Sequence, residues 1–351
     1  MKKIDGYMYG INLGGWLSQC PKEYGHYDSF IVEDDVKRIS EWGADHIRLP
    51  IDFELISDGN GHYIEKGYSY IKNCILWCRK YGLNMILDLH KTEGYVFDDY
   101  ENSNDFFYNR KLQLKFIDIW KEFSKRFSKE EDILAFELLN EVVDPMVVSQ
   151  WNYIATETIN EIRSICPNIK IIVGGVCYNS VNAIKLLDLP EDKNLIYNFH
   201  CYEPLVFTHQ NAYWVEDMPK DFSITYPLKR KEYFDIIPSR ENPMEFDPTP
   251  EKLIDHRFFE ELFEEAIKVA EKKGVSLYCG EYGVIDQADA KSASLWYKDI
   301  CRVFKRHGIG SAVWTYKKLD FGIIDAPDVK IPFFNARKNV TLPQLCERNV
   351  V

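Results

Sequence analysis

One unit recurs along the chain and narrows what it can fold into: an amphipathic helical pattern, a glycine able to take the left-handed C-terminal cap, then a short apolar run. It appears as Glu41-Trp42-Gly43 before residues 46–50 and as Lys80-Tyr81-Gly82 before residues 85–90. It returns as Lys272-Lys273-Gly274 before 277–281 and as Arg306-His307-Gly308 before 312–316. Helices alternating with β-rich runs imply right-handed parallel βαβ units. Eight strand candidates follow, at 9–14, 45–49, 84–89, 133–140, 170–174, 195–200, 276–281 and 311–316. Helical periodicity fills the gaps, most clearly at Leu112, Phe116, Ile119, Phe123 and Phe127, a stripe that would face a sheet.

Eight such units in 351 residues match an α/β fold of the (β/α)8 (TIM) barrel type, expected as a single catalytic domain over residues 1–351. A doubly wound sheet would show a phosphate-binding glycine fingerprint after its first strand, and Gly10-Ile11-Asn12-Leu13-Gly14-Gly15 does not fit one. One stretch breaks the rhythm. Residues 205–254 hold six of the fifteen prolines (Pro219, Pro227, Pro238, Pro243, Pro248 and Pro250) without sustained periodicity. A long insertion of that kind after strand six would lie on the barrel face that carries chemistry, and its aromatics suggest an ordered lid or cleft wall.

Charge removes several classes of function. With 43 Lys plus Arg against 55 Asp plus Glu, the formal net charge is −12, so no basic face is available for nucleic acid. The longest apolar runs fall far short of the roughly 20 residues that span a bilayer, so no membrane partner is expected. No apolar stretch follows Lys2 and Lys3, which reads as a cytoplasmic protein or as a mature form whose leader was removed. Nine cysteines without a CxxC pair suit buried thiols in a reducing compartment better than disulfides or zinc. Aromatics make up 15% of the chain, an excess suited to stacking on sugar rings as well as to a core.

In a barrel, polar groups at the C-terminal ends of strands point into the active-site bowl. Reading only those ends gives Arg48 after strand two, His90 after three, Asn140 and Glu141 after four, His200 and Tyr202 after six, Glu281 after seven and Trp314 on eight. Motifs for a serine or cysteine nucleophile, HExxH, Walker A and GxSxG are absent, so no metal and no cofactor is expected. A carboxylate pair across a barrel mouth beside a flat aromatic is the equipment for glycoside hydrolysis: one acid protonates the leaving oxygen, and the other attacks or assists at the anomeric carbon.

Taken together, Ile47-Arg48-Leu49-Pro50, Asp88-Leu89-His90, Glu137-Leu138-Leu139-Asn140-Glu141, Asn198-Phe199-His200-Cys201-Tyr202, Gly280-Glu281-Tyr282-Gly283 and Val313-Trp314 resemble the family 5 glycoside hydrolases, the cellulase family. Gly10 to Trp16 and Phe207-Thr208-His209-Gln210 are similar, more narrowly, to a clostridial endoglucanase branch of it. The resemblance implies that Glu141 is the acid/base and Glu281 the nucleophile of a retaining reaction. It implies that Asn140 holds the sugar 2-hydroxyl, that His90 and His200 bind hydroxyls or orient the acid, and that Trp314 floors the reacting sugar. Arg48 and Tyr202 would keep Glu281 ionised. Two departures stand out: Lys91 occupies the place of a frequent second histidine, and Val142 the place of a proline that often follows the acid.

Bland readings compete with these. Glu137 sits mid-strand and Asp88 likewise, so both read as structural acids paired inside the barrel. His26, His46 and His62 read as structural, and Trp16, Trp42, Trp77 and Trp120 as core. Phe207 and Trp214 could be substrate platforms or the insertion's own small core. The expected function is internal hydrolysis of β-1,4-glucan or mixed β-1,3-1,4-glucan with retention, by a monomer that binds the glucan oligo- or polysaccharide alone. The alternatives are an exo-acting β-1,3-glucanase or a β-mannanase on the same scaffold, and a non-catalytic glycan-binding barrel.

Overall fold

The computed structural model describes residues 3–99, 103–234, 236, 249–326 and 328–332. Eight parallel strands close into a barrel in sequence order, with β1 pairing back to β8. They are β1 (Gly10–Asn12), β2 (His46–Asp52), β3 (Asn84–Lys91), β4 (Leu134–Glu137), β5 (Lys170–Gly174), β6 (Leu195–Cys201), β7 (Ser276–Tyr282) and β8 (Gly310–Val313). All eight fall where the apolar runs predicted them. Three run shorter than expected: β1 spans only Gly10–Asn12 of 9–14, β4 leaves the ladder after Glu137 rather than at Asn140, and β8 after Val313 rather than Tyr316. β2 runs longer, so Arg48 lies inside a strand rather than at its end.

Every residue of β2, β6 and β7 is buried, because helices cover the outside of a parallel sheet while side chains fill the inside. The covering helices include Glu33–Trp42, Glu65–Tyr81, Arg110–Phe127, Val148–Ile165, His256–Lys273 and Ala290–His307. Within Arg110–Phe127 the stripe Phe116, Ile119, Phe123 and Phe127 is buried against the sheet, with Leu112 packed at its margin. Gly43 and Gly82 end their helices at φ +97° and +69°, a conformation that costs a side-chain-bearing residue energy and glycine almost none. Asp255, Asp289 and Asn109 begin theirs by accepting backbone N–H groups.

The barrel interior is layered. At the N-terminal end Ile4, Tyr7, Ile86, Ala135, Ile172, Ile196, Tyr278 and Ala312 form an apolar plug. Beside it His46 bridges the Asp45 carboxylate at 2.7 Å and the Tyr278 hydroxyl at 2.8 Å, a structural role as the sequence suggested. Above the plug the interior turns polar, and the site begins there. Two register shifts flank β7, between Phe199 and His200 and between Cys279 and Tyr282. They matter for direction: Tyr278 and Gly280 face inward by period two, so the irregularity lets Glu281 turn inward as well.

The insertion after β6 starts with a short helix, Leu205–Thr208, and Lys229 near its middle pairs with Leu253 near its end. Pro238, Pro243 and Pro248 lie outside the described residues. Among the described residues no helix is long and apolar enough to cross a membrane.

Candidate active site

Arg48 is the hub. Its guanidinium, wholly buried, donates from Nε and Nη2 to both oxygens of Glu137 at 2.7 and 2.8 Å, and from Nη1 to Glu281 Oε1 at 2.8 Å. It also meets Asp88 at 3.0 Å, Asn12 Oδ1 at 2.9 Å and Asn140 Oδ1 at 2.8 Å. The planar fork explains why arginine and not lysine stands here, since it serves several acceptors from one fixed position. Glu137 and Asp88 are thus internal partners, as the bland reading of both expected. Burial pushes the carboxyls of Asp88 and Glu137 up to about 7 against the opposing pull of Arg48.

Glu281 and Glu141 face each other under unequal conditions. Glu281 accepts from Arg48 and, at Oε2, from the Tyr202 hydroxyl at 2.9 Å. Glu141 has His200 Nδ1 at 2.7 Å from Oε1, and the same nitrogen lies 3.7 Å from Glu281. Carboxyl oxygens of the two glutamates and the His200 nitrogen all fall within 4.8 Å of one another. Both glutamates are almost wholly buried, at 9% and 5% exposed. Burial, and next the neighbouring Glu281, raise Glu141 well above the ordinary carboxyl value. Burial raises Glu281 too, but Arg48 and Tyr202 pull it back, so the pair's first proton belongs on Glu141. His200 and His90 are held neutral by burial, His90 down to about 3. The same three groups could reach one metal ion, yet that spacing is also what a carboxylic acid facing a carboxylate requires.

Around this pair the structure gathers all eight residues read from strand ends: Arg48, His90, Asn140, Glu141, His200, Tyr202, Glu281 and Trp314. His90 bonds Asp88 through Nδ1 at 2.7 Å and stacks on Trp314, ring centroids 5.7 Å apart and 5° from parallel. Trp314 packs on Ala212, Ile285 and Phe321, and its ring passes so close to Gly14 that a Cβ there would lie 2.8 Å from it. Lys91 leans to Asp98 at 3.5 Å, beside Phe97.

The insertion divides its two candidates. Phe207 is fully buried against Tyr226, so the platform reading of Phe207 is corrected: it is part of the core beneath the insertion. Trp214 is 45% exposed and joins the site through His209, whose ring lies 6.4 Å from Trp214 and 4.9 Å from Tyr202. Its neighbour Tyr213, at 88% exposed, extends the aromatic edge outward.

Some participants were not singled out from sequence. Asn198 donates to Glu137 at 2.8 Å and accepts from the Gly280 N–H at 2.8 Å, and Asn12 donates to the carbonyls of Gly280, Ala312 and Val313. Asn198 precedes His200 by two on β6 and shares its inward face, a signal that period two carries.

The chain matches the family described as Cellulase (glycosyl hydrolase family 5) over residues 8–320. Cellodextrinase A of Ruminococcus flavefaciens is 43% identical over 309 residues, which is 88% of this chain and 85% of that protein. Endoglucanase C of Acetivibrio thermocellus is 41% identical over 325 residues, covering 90% of this chain and 92% of that one. Among solved structures, a hyperthermophilic endo-β-1,4-glucanase in complex with substrate superposes with a TM-score of 0.74 over 94% of this chain and 96% of that one; at 24% identity the likeness is one of fold.

Proposed function

We infer that this chain, which belongs to glycosyl hydrolase family 5 and is a cellulase-type glycoside hydrolase, cuts β-1,4-glucan or mixed β-1,3-1,4-glucan internally and with retention at the anomeric carbon. The observation that carries the reading is the glutamate pair, with carboxyl oxygens within 4.8 Å. A separation of about 5–5.5 Å suits direct attack by one carboxylate, whereas about 6.5–9.5 Å would leave room for an attacking water. Glu281, kept anionic by Arg48 and Tyr202, bonds to the anomeric carbon as the glycosidic bond breaks, and the Glu141 proton passes to the departing oxygen. In the second half Glu141, now a carboxylate, takes a proton from water. The water oxygen bonds to the anomeric carbon and Glu281 is released.

The remaining roles follow from position. Asn140, 2.8 Å from Arg48, holds the 2-hydroxyl beside Glu281. Trp314 floors the reacting sugar with His90 behind it, His200 orients Glu141, and Trp214 with Tyr213 offers an outer stacking edge for a longer chain.

Paired substitutions test the assignment. Glu281→Ala should abolish turnover and, with azide, yield the α-glycosyl azide, because azide attacks from the face the carboxylate vacated. Glu141→Ala should cost about 10²- to 10⁴-fold on cello-oligosaccharides and much less on dinitrophenyl cellobioside, whose leaving group needs no proton. Near-normal turnover by Glu281→Ala would overturn the reading.

A further inference from the structure

The acid/base sits on a segment that has already left the β4 ladder, so something other than the sheet must hold it. Glu141, Val142 and Val143 are buried, and their backbone is bound from two sides. On one side the Tyr95 hydroxyl, itself fully buried, donates to the Glu141 carbonyl at 2.7 Å and accepts the Val143 N–H at 2.9 Å. On the other, the N–H groups of Tyr178 and Cys177 donate to the carbonyls of Val142 and Val143 at 3.1 and 3.2 Å. Cys177, Tyr178 and Asn179 all have left-handed φ, at +55°, +56° and +56°, unusual for three side-chain-bearing residues in a row. Asn179 fixes that turn by accepting the Gly175 N–H at 3.0 Å. The next residue, Ser180, pairs with His200, the imidazole that meets the Glu141 carboxyl.

We propose that Tyr95 is a positioning residue for the acid/base: its hydroxyl clamps the Glu141 peptide segment against the left-handed turn and so sets where the Glu141 carboxyl stands. Strained backbone persists only where its surroundings over-determine it, and here those surroundings are the acid's own segment. The inference rests on Glu141 being the acid.

Tyr95→Phe keeps the ring and removes both bonds. The measurement is kcat/KM on cellotetraose, which needs the acid, and on dinitrophenyl cellobioside, which barely does. A displaced carboxyl should lower the ratio of the first to the second by about 10- to 100-fold and move the alkaline limb of the cellotetraose pH profile. Asn179→Gly, which keeps φ and loses the anchor, carries the same test with a smaller effect if Tyr95→Phe does not fold. Equal losses on both substrates, or none, would overturn the clamp. If Glu141→Ala itself spared cellotetraose relative to the activated substrate, the acid assignment would fall, and the clamp with it.

Discussion

At the scale of single residues, the site is an exercise in unequal treatment of like groups. Four carboxyls, those of Asp88, Glu137, Glu141 and Glu281, lie around a single guanidinium, and Arg48 touches three of them directly. One cation cannot neutralise four buried anions, so protons must remain on some of them. Glu137, raised to about 7 by burial, binds in the folded state a proton that the unfolded chain releases near 4.5. Its contribution to stability is therefore full below about 4.5 and is lost as pH rises toward about 7. Glu137→Gln removes that dependence and keeps the shape, and its one amide oxygen can still accept where Glu137 Oε1 now takes Arg48 Nη2 and Asn198, while the bond from Arg48 Nε is lost. Melting temperature across pH 4.5 to 7 should then fall less steeply than in the parent, and an unchanged slope would mean that Glu137 stays ionised throughout.

At the scale of elements, the site depends on places where strands stop behaving as strands. Glu281 faces the bowl because β7 loses register there, and Gly280 makes the close passage possible. A Cβ on Gly280 would lie 2.8 Å from Asn198 Oδ1 and 3.0 Å from His200 Nε2, both buried and neither at the end of a flexible chain. Gly280→Ala should thus push β7 away from β6 and shift the two glutamates. A displacement near 1 Å costs about 100-fold in kcat/KM, with the protein still folded by circular dichroism. Activity within about threefold of the parent would mean that the barrel absorbs the methyl elsewhere. The same logic explains what periodicity could and could not reveal. The apolar run located β7, but a pleat of period two that turns Tyr278 and Gly280 inward cannot also place Glu281 inside. Glu281 was readable only as a glutamate between glycines at a strand end. Tyr95 left no signal, because its bonds go to backbone groups 46 and 48 residues away.

For the whole molecule, the fold was legible because a (β/α)8 barrel repeats one physical rule eight times. Strands buried on both faces are continuous apolar runs, and helices that cover them carry an apolar stripe and a glycine stop. The strand-end rule then located the polar residues with little further information. Depth was not legible: Arg48 was expected at a rim and lies at the centre of the interior network, because β2 continues through Asp52. The insertion was the least readable part, since proline-rich sequence without period gives no means of telling a buried Phe207 from a half-exposed Trp214. These scales meet in the stereochemistry of bond cleavage, which depends on the distance between two glutamates that four strands, one bulge and one arginine set together. Proton NMR of the first sugar released from a β-linked cello-oligosaccharide, read before mutarotation, reports it directly. The β anomer should appear first; the α anomer as the initial product would contradict the account.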